Sequence, residues 1–162
     1  MSEVTVAIMM GSQSDLEVMR ESAKILKDFG VSCELKVLSA HRTPKETAEY
    51  AETFREKGGK VFICGAGVSA ALAGVVSAHT TLPVIGVPLD ASSLNGVDAL
   101  YSTVQMPPGV PVGCMAIGKP GAKNAALLAI RILGVTDTAI AEKLEQFREE
   151  NRRKILDLKI DS

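Results

Sequence analysis

The chain has no tryptophan, and aromatic residues make up only 4% of its 162 positions. Proteins that hold single-stranded nucleic acid stack bases on aromatic side chains, so that platform is missing. A basic excess is missing too: 18 Lys and Arg stand against 19 Asp and Glu, a net charge of -1. Phosphate neutralisation on nucleic acid needs a positive surface, so no nucleic-acid partner is expected. Cysteine is scarce. Cys33, Cys64 and Cys114 lie far apart in apolar stretches, which excludes a disulfide framework and reads as buried free thiols in a reducing compartment, the cytoplasm. No apolar run approaches the ~20 residues of a membrane span, and the stretch from Met1 to Val4 lacks a signal peptide's basic segment. No membrane partner is expected. His, Cys, Asp and Glu show no metal-ligand spacing, so a metal is not expected. There is no P-loop, no Gly-x-Gly-x-x-Gly, no Gly-x-Ser-x-Gly and no Cys-x-x-Cys.

What is present is ordinary globular composition, 46% hydrophobic and 23% charged, in a length that suits one domain. Short apolar runs alternate with helical patterns. The stretch from Val4 to Met10 reads as a buried strand, followed by a helix with Leu16, Met19, Ala23 and Leu26 on one face. Ser14 and Glu17 fit a capping box at its start, and Gly30 ends it. Residues 32–38 alternate, with Cys33, Leu35 and Val37 on one face of an edge-ward strand. Thr43 as N-cap, Pro44 at the first helical position and Glu46 three residues on predict a second capped helix, ending at Gly58-Gly59. Further strands are expected at 61–64, 83–87 and 112–117, and helices at 69–78, 97–104 and 121–133. This alternation predicts an α/β fold with a parallel sheet covered on both faces. A last helix, residues 136–158, carries Ile140, Leu144, Phe147, Ile155 and Leu158 as a stripe. It suits packing on its own domain or on another subunit.

Ligands of open parallel sheets bind beyond the carboxyl ends of the strands. Three loops there hold unusual residues. Gly11-Ser12-Gln13-Ser14-Asp15 offers backbone N–H groups and hydroxyls at a helix start, which is either an anion site or plain capping. Ser39-Ala40-His41-Arg42 places a proton-transfer group beside a phosphate-holding one, or is a solvated loop. Gly65-Ala66-Gly67 permits close approach of backbone to a ligand, or is a tight turn. His79, before Thr80-Thr81-Leu82-Pro83, reads as surface or structural. These features point to a small phosphorylated ligand and do not name a reaction.

Met10–Asp15, Ser39–Pro44, Pro83–Pro88, Gln105-Met106-Pro107 and Asn124–Ala129 occur in an order and spacing that resemble the N5-carboxyaminoimidazole ribonucleotide mutases of de novo purine (IMP) biosynthesis. The resemblance covers Val4 to Leu133. It implies a flavodoxin-like three-layer αβα sandwich around a parallel five-stranded sheet. It implies a single domain over 1–162, with a core at 3–134 and a C-terminal helix at 136–159 that packs on neighbouring subunits of a homo-octamer. The implied reaction, an isomerisation without metal, ATP or organic cofactor, moves a carboxylate from the exocyclic nitrogen to ring carbon C4 of one phosphorylated nucleotide. Carried over to this chain, His41 matches the general acid–base. Asp15 would accept from ribose hydroxyls, and Arg42 with Ser14 and Ser39 would hold the 5′-phosphate. Ser12, Ala40, Gly67, Ser69 and Leu72 complete the implied substrate contacts.

One stretch departs from the pattern. Where the mutases usually read Gly-Ala-Ala-His-Leu-Pro-Gly, this chain has Val68-Ser69-Ala70-Ala71-Leu72-Ala73-Gly74, with Ala71 and Ala73 in place of the histidine and proline. That loop is similar to those of the animal-type carboxylases, which add free carbon dioxide to aminoimidazole ribonucleotide. Those enzymes usually have lysine where this chain has Arg42. Ser69 either bonds the carboxylate or caps the next helix. The competing readings are a direct carboxylase and a non-catalytic phosphonucleotide-binding protein, the latter disfavoured by the presence of His41.

Overall fold

Val6–Met10 (β1) is buried at all five positions, because its alternate residues feed two different cores. Val6, Ile8 and Met10 face one layer of helices, and Ala7 and Met9 face the other. The computed structural model describes residues 4–159. Residues 1–3, included in the expectation of an absent leader and at the edge of the expected core, lie outside the described residues, as do 160–162. After β1 come α1 (Leu16–Asp28), β2 (Cys33–Val37), α2 (Pro44–Thr53), β3 (Val61–Gly67), α3 (Leu72–Ala78), β4 (Val84–Leu89), α4 (Val97–Val104), β5 (Gly113–Cys114), α5 (Lys119–Gly134) and α6 (Thr138–Leu156). The five strands form one sheet in the order β2-β1-β3-β4-β5, all pairs parallel, with Met10 level with Val37 on one side and Gly65 on the other. This is the flavodoxin-like arrangement.

One core joins β1, β3 and β4 to Met19 and Leu26 of α1 and to Ala122, Ala125, Ala126 and Ala129 of α5. The alanine stripe lets α5 approach closely, and Ser22 Oγ donates to the Ala122 carbonyl at 2.6 Å between the two helices. The opposite core is built on Phe54 and Phe62, whose ring centroids are 4.8 Å apart, with Leu72 and Val76 of α3.

Several local expectations are corrected. The capping box at the first helix is made by Ser12 and Asp15 rather than Ser14 and Glu17, because a 3-10 turn over Gln13–Asp15 precedes α1. Glu17 instead pairs with Lys119. Thr43 does sit at the N-cap position of α2, but its side chain makes no cap bond, and Glu46 forms no capping box. β3 runs to Gly67, so Gly65-Ala66-Gly67 is strand, paired with Val87, Pro88 and Leu89. The following helix begins at Leu72 rather than Ser69. Val68 takes φ 56 and Ala71 N–H donates to the Ser69 carbonyl at 2.8 Å, so Ser69 lies in a turn and is not the cap, which is Ala71. β5 is two residues instead of six. It follows Pro111, and past Cys114 the chain keeps only single bonds to β4, from Met115 N–H to the Gly86 carbonyl and from Gly118 N–H to the Pro88 carbonyl. At the other edge of the sheet Leu35 and Val37 are exposed. Only Cys64 is a buried thiol; Cys33 and Cys114 are half-buried, and all three are free.

The stripe of α6 divides. Ile140, Leu144 and Phe147 pack on the first core, Phe147 edge-on to Phe29 at 5.6 Å, and Lys143 Nζ donates to the Phe29 carbonyl at 2.8 Å. Ile155 and Leu158 are exposed. Among the described residues no helix is long and apolar enough to cross a membrane.

Candidate active site

Parallel pairing brings the carboxyl ends of β1 to β4 to one edge of the sheet. The strand order reverses on either side of β1, which opens a crevice between the loops after β1 and β3. A cleft of about 450 Å³ lies there. Its lining includes every residue that the resemblance carries over: Ser12, Ser14, Asp15, Ser39, Ala40, His41, Arg42, Gly67, Ser69 and Leu72. Gly11, Ala66, Val68, Ala71 and Ala91 complete it. Ala91 was not legible as a site residue. Its signal is its place just past the end of β4. A Cβ on Gly67 would collide with the Ala91 methyl, so glycine at 67 lets the two loops close together.

Asp15 is the buried charge of the cleft, 8% exposed. Ser12 N–H donates to its Oδ2 at 3.1 Å and Ser14 Oγ to its Oδ1 at 3.4 Å. Burial pushes the carboxyl above the ordinary aspartate range, against the Ser12 amide, the Ser14 hydroxyl and the Arg42 guanidinium, which hold it down. Burial thus outweighs these three groups, and any further donor to the carboxylate would stabilise its charged form. The first loop is less of an open anion cradle than its sequence promised. Ser12 N–H is taken by Asp15, and Ser14 N–H donates to Ser12 Oγ at 3.4 Å.

The second loop carries the positive charge. Arg42 Nη2 donates to the Gly11 carbonyl at 2.8 Å, which ties the loop after β2 to the loop after β1. Arg42 N–H donates to Ser39 Oγ at 3.1 Å. Ser39 Oγ therefore acts as an acceptor within the loop and keeps its own proton for a ligand. His41 is exposed at the rim, and its ring has no hydrogen-bond partner among the described residues. The third loop presents Val68, 53% exposed, in the left-handed region where a β-branched residue is strained. His79 lies outside the cleft and meets Glu52 Oε1 through Nδ1 at 2.9 Å on the surface, in line with a structural reading. Among the described residues no group of three His, Cys, Asp or Glu side chains is placed to hold a metal ion.

A doubly wound parallel sheet with a polar cleft at its switch point, edged by a histidine, an arginine and a buried aspartate, defines a flavodoxin-like α/β protein. Residues 5–154 match the family described as AIR carboxylase, and the chain belongs to that family. It is 55% identical over 148 residues to the N5-carboxyaminoimidazole ribonucleotide mutase of Pyrococcus abyssi, covering 91% of this chain and 84% of that one. It is 53% identical over 152 residues to the protein of the same name from Bacillus subtilis, covering 94% of each. The crystal structure of Treponema denticola PurE superposes with a TM-score of 0.86 at 33% identity, covering 94% of both chains.

Proposed function

We propose that this chain is an isomerase, converting N5-carboxyaminoimidazole ribonucleotide to 4-carboxyaminoimidazole ribonucleotide in purine biosynthesis. The observation that carries this reading is that a proton-transfer residue, His41, and a phosphate-type cation, Arg42, share one cleft with Asp15. Relatives at about half identity bear the mutase name.

The residues suit the steps. Arg42, Ser14 and Ser39 hold the 5′-phosphate, and Asp15 accepts from the ribose hydroxyls. Protonated His41 gives its proton to the exocyclic nitrogen, the N–carboxylate bond breaks, and carbon dioxide is released beside the amine. Its carbon is then attacked by the electron-rich C4. Neutral His41 removes the C4 proton, which restores the aromatic ring and the starting state of the histidine. Atoms and protons balance with no co-reactant. Trapping carbon dioxide in the cleft supplies the proximity that a bimolecular carboxylation lacks. Ser12, Ala40, Gly67 and Leu72 shape the floor and walls. Ser69, freed from the capping role, is available to the carboxylate.

The test supplies the purified protein with N5-carboxyaminoimidazole ribonucleotide in low-bicarbonate buffer and, separately, with aminoimidazole ribonucleotide plus carbon dioxide. Product from the first supply, or far faster from it, is the expected result. Product only from the second means that the loop from Val68 to Gly74 reports a direct carboxylase. Binding without turnover from either means a non-catalytic protein. Arg42→Ala is expected to weaken nucleotide affinity by ~1.5–3 kcal/mol, the worth of a charge-assisted hydrogen bond; unchanged affinity by calorimetry contradicts the phosphate role.

The assembly belongs to the same proposal. Leu94, Val97, Tyr101 and Val104 expose apolar surface on and beside α4, and Ile155, Leu156 and Leu158 do so at the end of α6. Among the described residues Asp98 Oδ1 on α4 is buried without a hydrogen-bond partner. These faces fit burial between subunits of a homo-octamer. Sedimentation equilibrium is expected to give the mass of eight 17.1-kDa chains; a monomer at micromolar concentration contradicts it. The free thiols fit a cytoplasmic protein.

A further inference from the structure

Among the described residues the His41 side chain has no partner to aim it, so its position depends on the backbone of the loop that carries it. That loop is closed by hydroxyls. Ser39 N–H donates to Thr43 Oγ1 at 2.8 Å, and Thr43 Oγ1 donates back to the Ser39 carbonyl at 3.1 Å. Thr43 N–H adds a third bond to the same carbonyl at 2.9 Å. The threonine that sequence pattern assigns to capping α2 turns the other way and clasps the two ends of Ser39–Thr43, with His41 at the apex. One turn into α2, Thr47 is fully buried. Its hydroxyl lies 2.8 Å from the Thr43 carbonyl and 3.3 Å from the Ser39 carbonyl, so it ties the clasp to the helix.

We infer that Thr43 is a positioning residue for the reaction: its hydroxyl, backed by Thr47, fixes the loop backbone and thereby the approach of His41 to the reacting nitrogen and carbon. The inference rests on the proposed role of His41. Arg42 has a second anchor at the Gly11 carbonyl, and His41 has none. Loss of the clasp therefore falls on the proton transfers more than on phosphate holding, and small misplacements of a reacting group cost large factors in rate.

The experiment compares Thr43→Val, which keeps the shape and removes the hydroxyl, with Thr43→Ser, which keeps the hydroxyl. His41→Asn runs alongside. The expected result is a kcat lowered roughly tenfold or more in Thr43→Val, with KM changed far less, and near wild-type kcat in Thr43→Ser. Wild-type kcat in Thr43→Val overturns the inference, as does a serine variant impaired as much as the valine one. If Thr43→Val does not fold, Thr43→Ala is read in its place. Failure of both to fold makes the hydroxyl a requirement of the fold, which also overturns the inference. Turnover retained by His41→Asn instead removes the underlying role of His41 and is read separately from the Thr43 comparison.

Discussion

His41→Asn is expected to lower turnover by ~10²–10⁴-fold, the contribution of a positioned general acid–base, while nucleotide affinity stays close to that of the unaltered protein. Asparagine keeps a polar group of similar size at the rim of the cleft and cannot carry the proton between nitrogen and C4. In the proposed binding mode affinity comes from other groups that line the cleft, Arg42 and Ser39 on one side and Asp15 on the other. The proposed mechanism routes both transfers through His41, and His79, on the surface with Glu52, is not placed to replace it. Steady-state rates paired with calorimetry make the check: turnover at the wild-type level would remove His41 from the chemistry.

Gly121→Ala is expected to destabilise the protein by about 3 kcal/mol or more, at the upper end of overpacking costs. A Cβ at this position would fall on the backbone carbonyl of Ala116. Backbone cannot rotate away as a side chain can. Gly121 is buried in the first turn of α5, so relief requires shifting the start of that helix, and with it Ala122 and its bond from Ser22. Gly65 makes the contrast, since a Cβ there meets the flexible thioether of Met19. Urea unfolding reads the effect as a fall in midpoint; an unchanged midpoint would contradict the packing of α5 described above.

Much of the architecture was legible because the strongest signals are periodic. The fully apolar β1, the three- and four-residue spacing of α1 and the alanine stripe of α5 each dictate their burial. The helix α4 was read at its observed bounds, Val97–Val104. The misreadings share a cause: local patterns have more than one hydrogen-bonding solution, and tertiary contacts choose. Ser14-x-x-Glu17 and Ser12-x-x-Asp15 are both capping boxes on paper, and the 3-10 turn selects the second. Thr43 followed by Pro44 looks like an N-cap, yet the demand of the Ser39–Thr43 loop for closure captures its hydroxyl. Gly65-Ala66-Gly67 resembles a glycine turn, but its backbone is claimed by pairing with Val87–Leu89. The length of β5 failed for the reverse reason, since a continuous apolar run at 112–117 could not say that the ladder would thin to single bonds after Cys114.

The site was legible to a greater degree than its details. Its residues cluster in sequence at strand ends, and the parallel sheet brings those ends together, so every residue carried over from the resemblance lines one cleft. Ala91 and Val68 escaped because an alanine and a valine carry no chemical signature. Their part is steric, set by Gly67 against Ala91 and by the left-handed turn at Val68, and neither can be read without the backbone.

In the proposed reaction the carboxylate lost from nitrogen is the one gained at C4. The measurement is isotopic: N5-carboxyaminoimidazole ribonucleotide labelled with carbon-13 in its carboxylate is turned over in unlabelled bicarbonate buffer, and the product carboxylate is read by mass spectrometry. The expected result is that the label is retained in the product, because in the proposed reaction carbon dioxide stays in the cleft between the two steps. Product carrying the unlabelled carbon of the buffer would show that carbon dioxide enters from solution, and would contradict it.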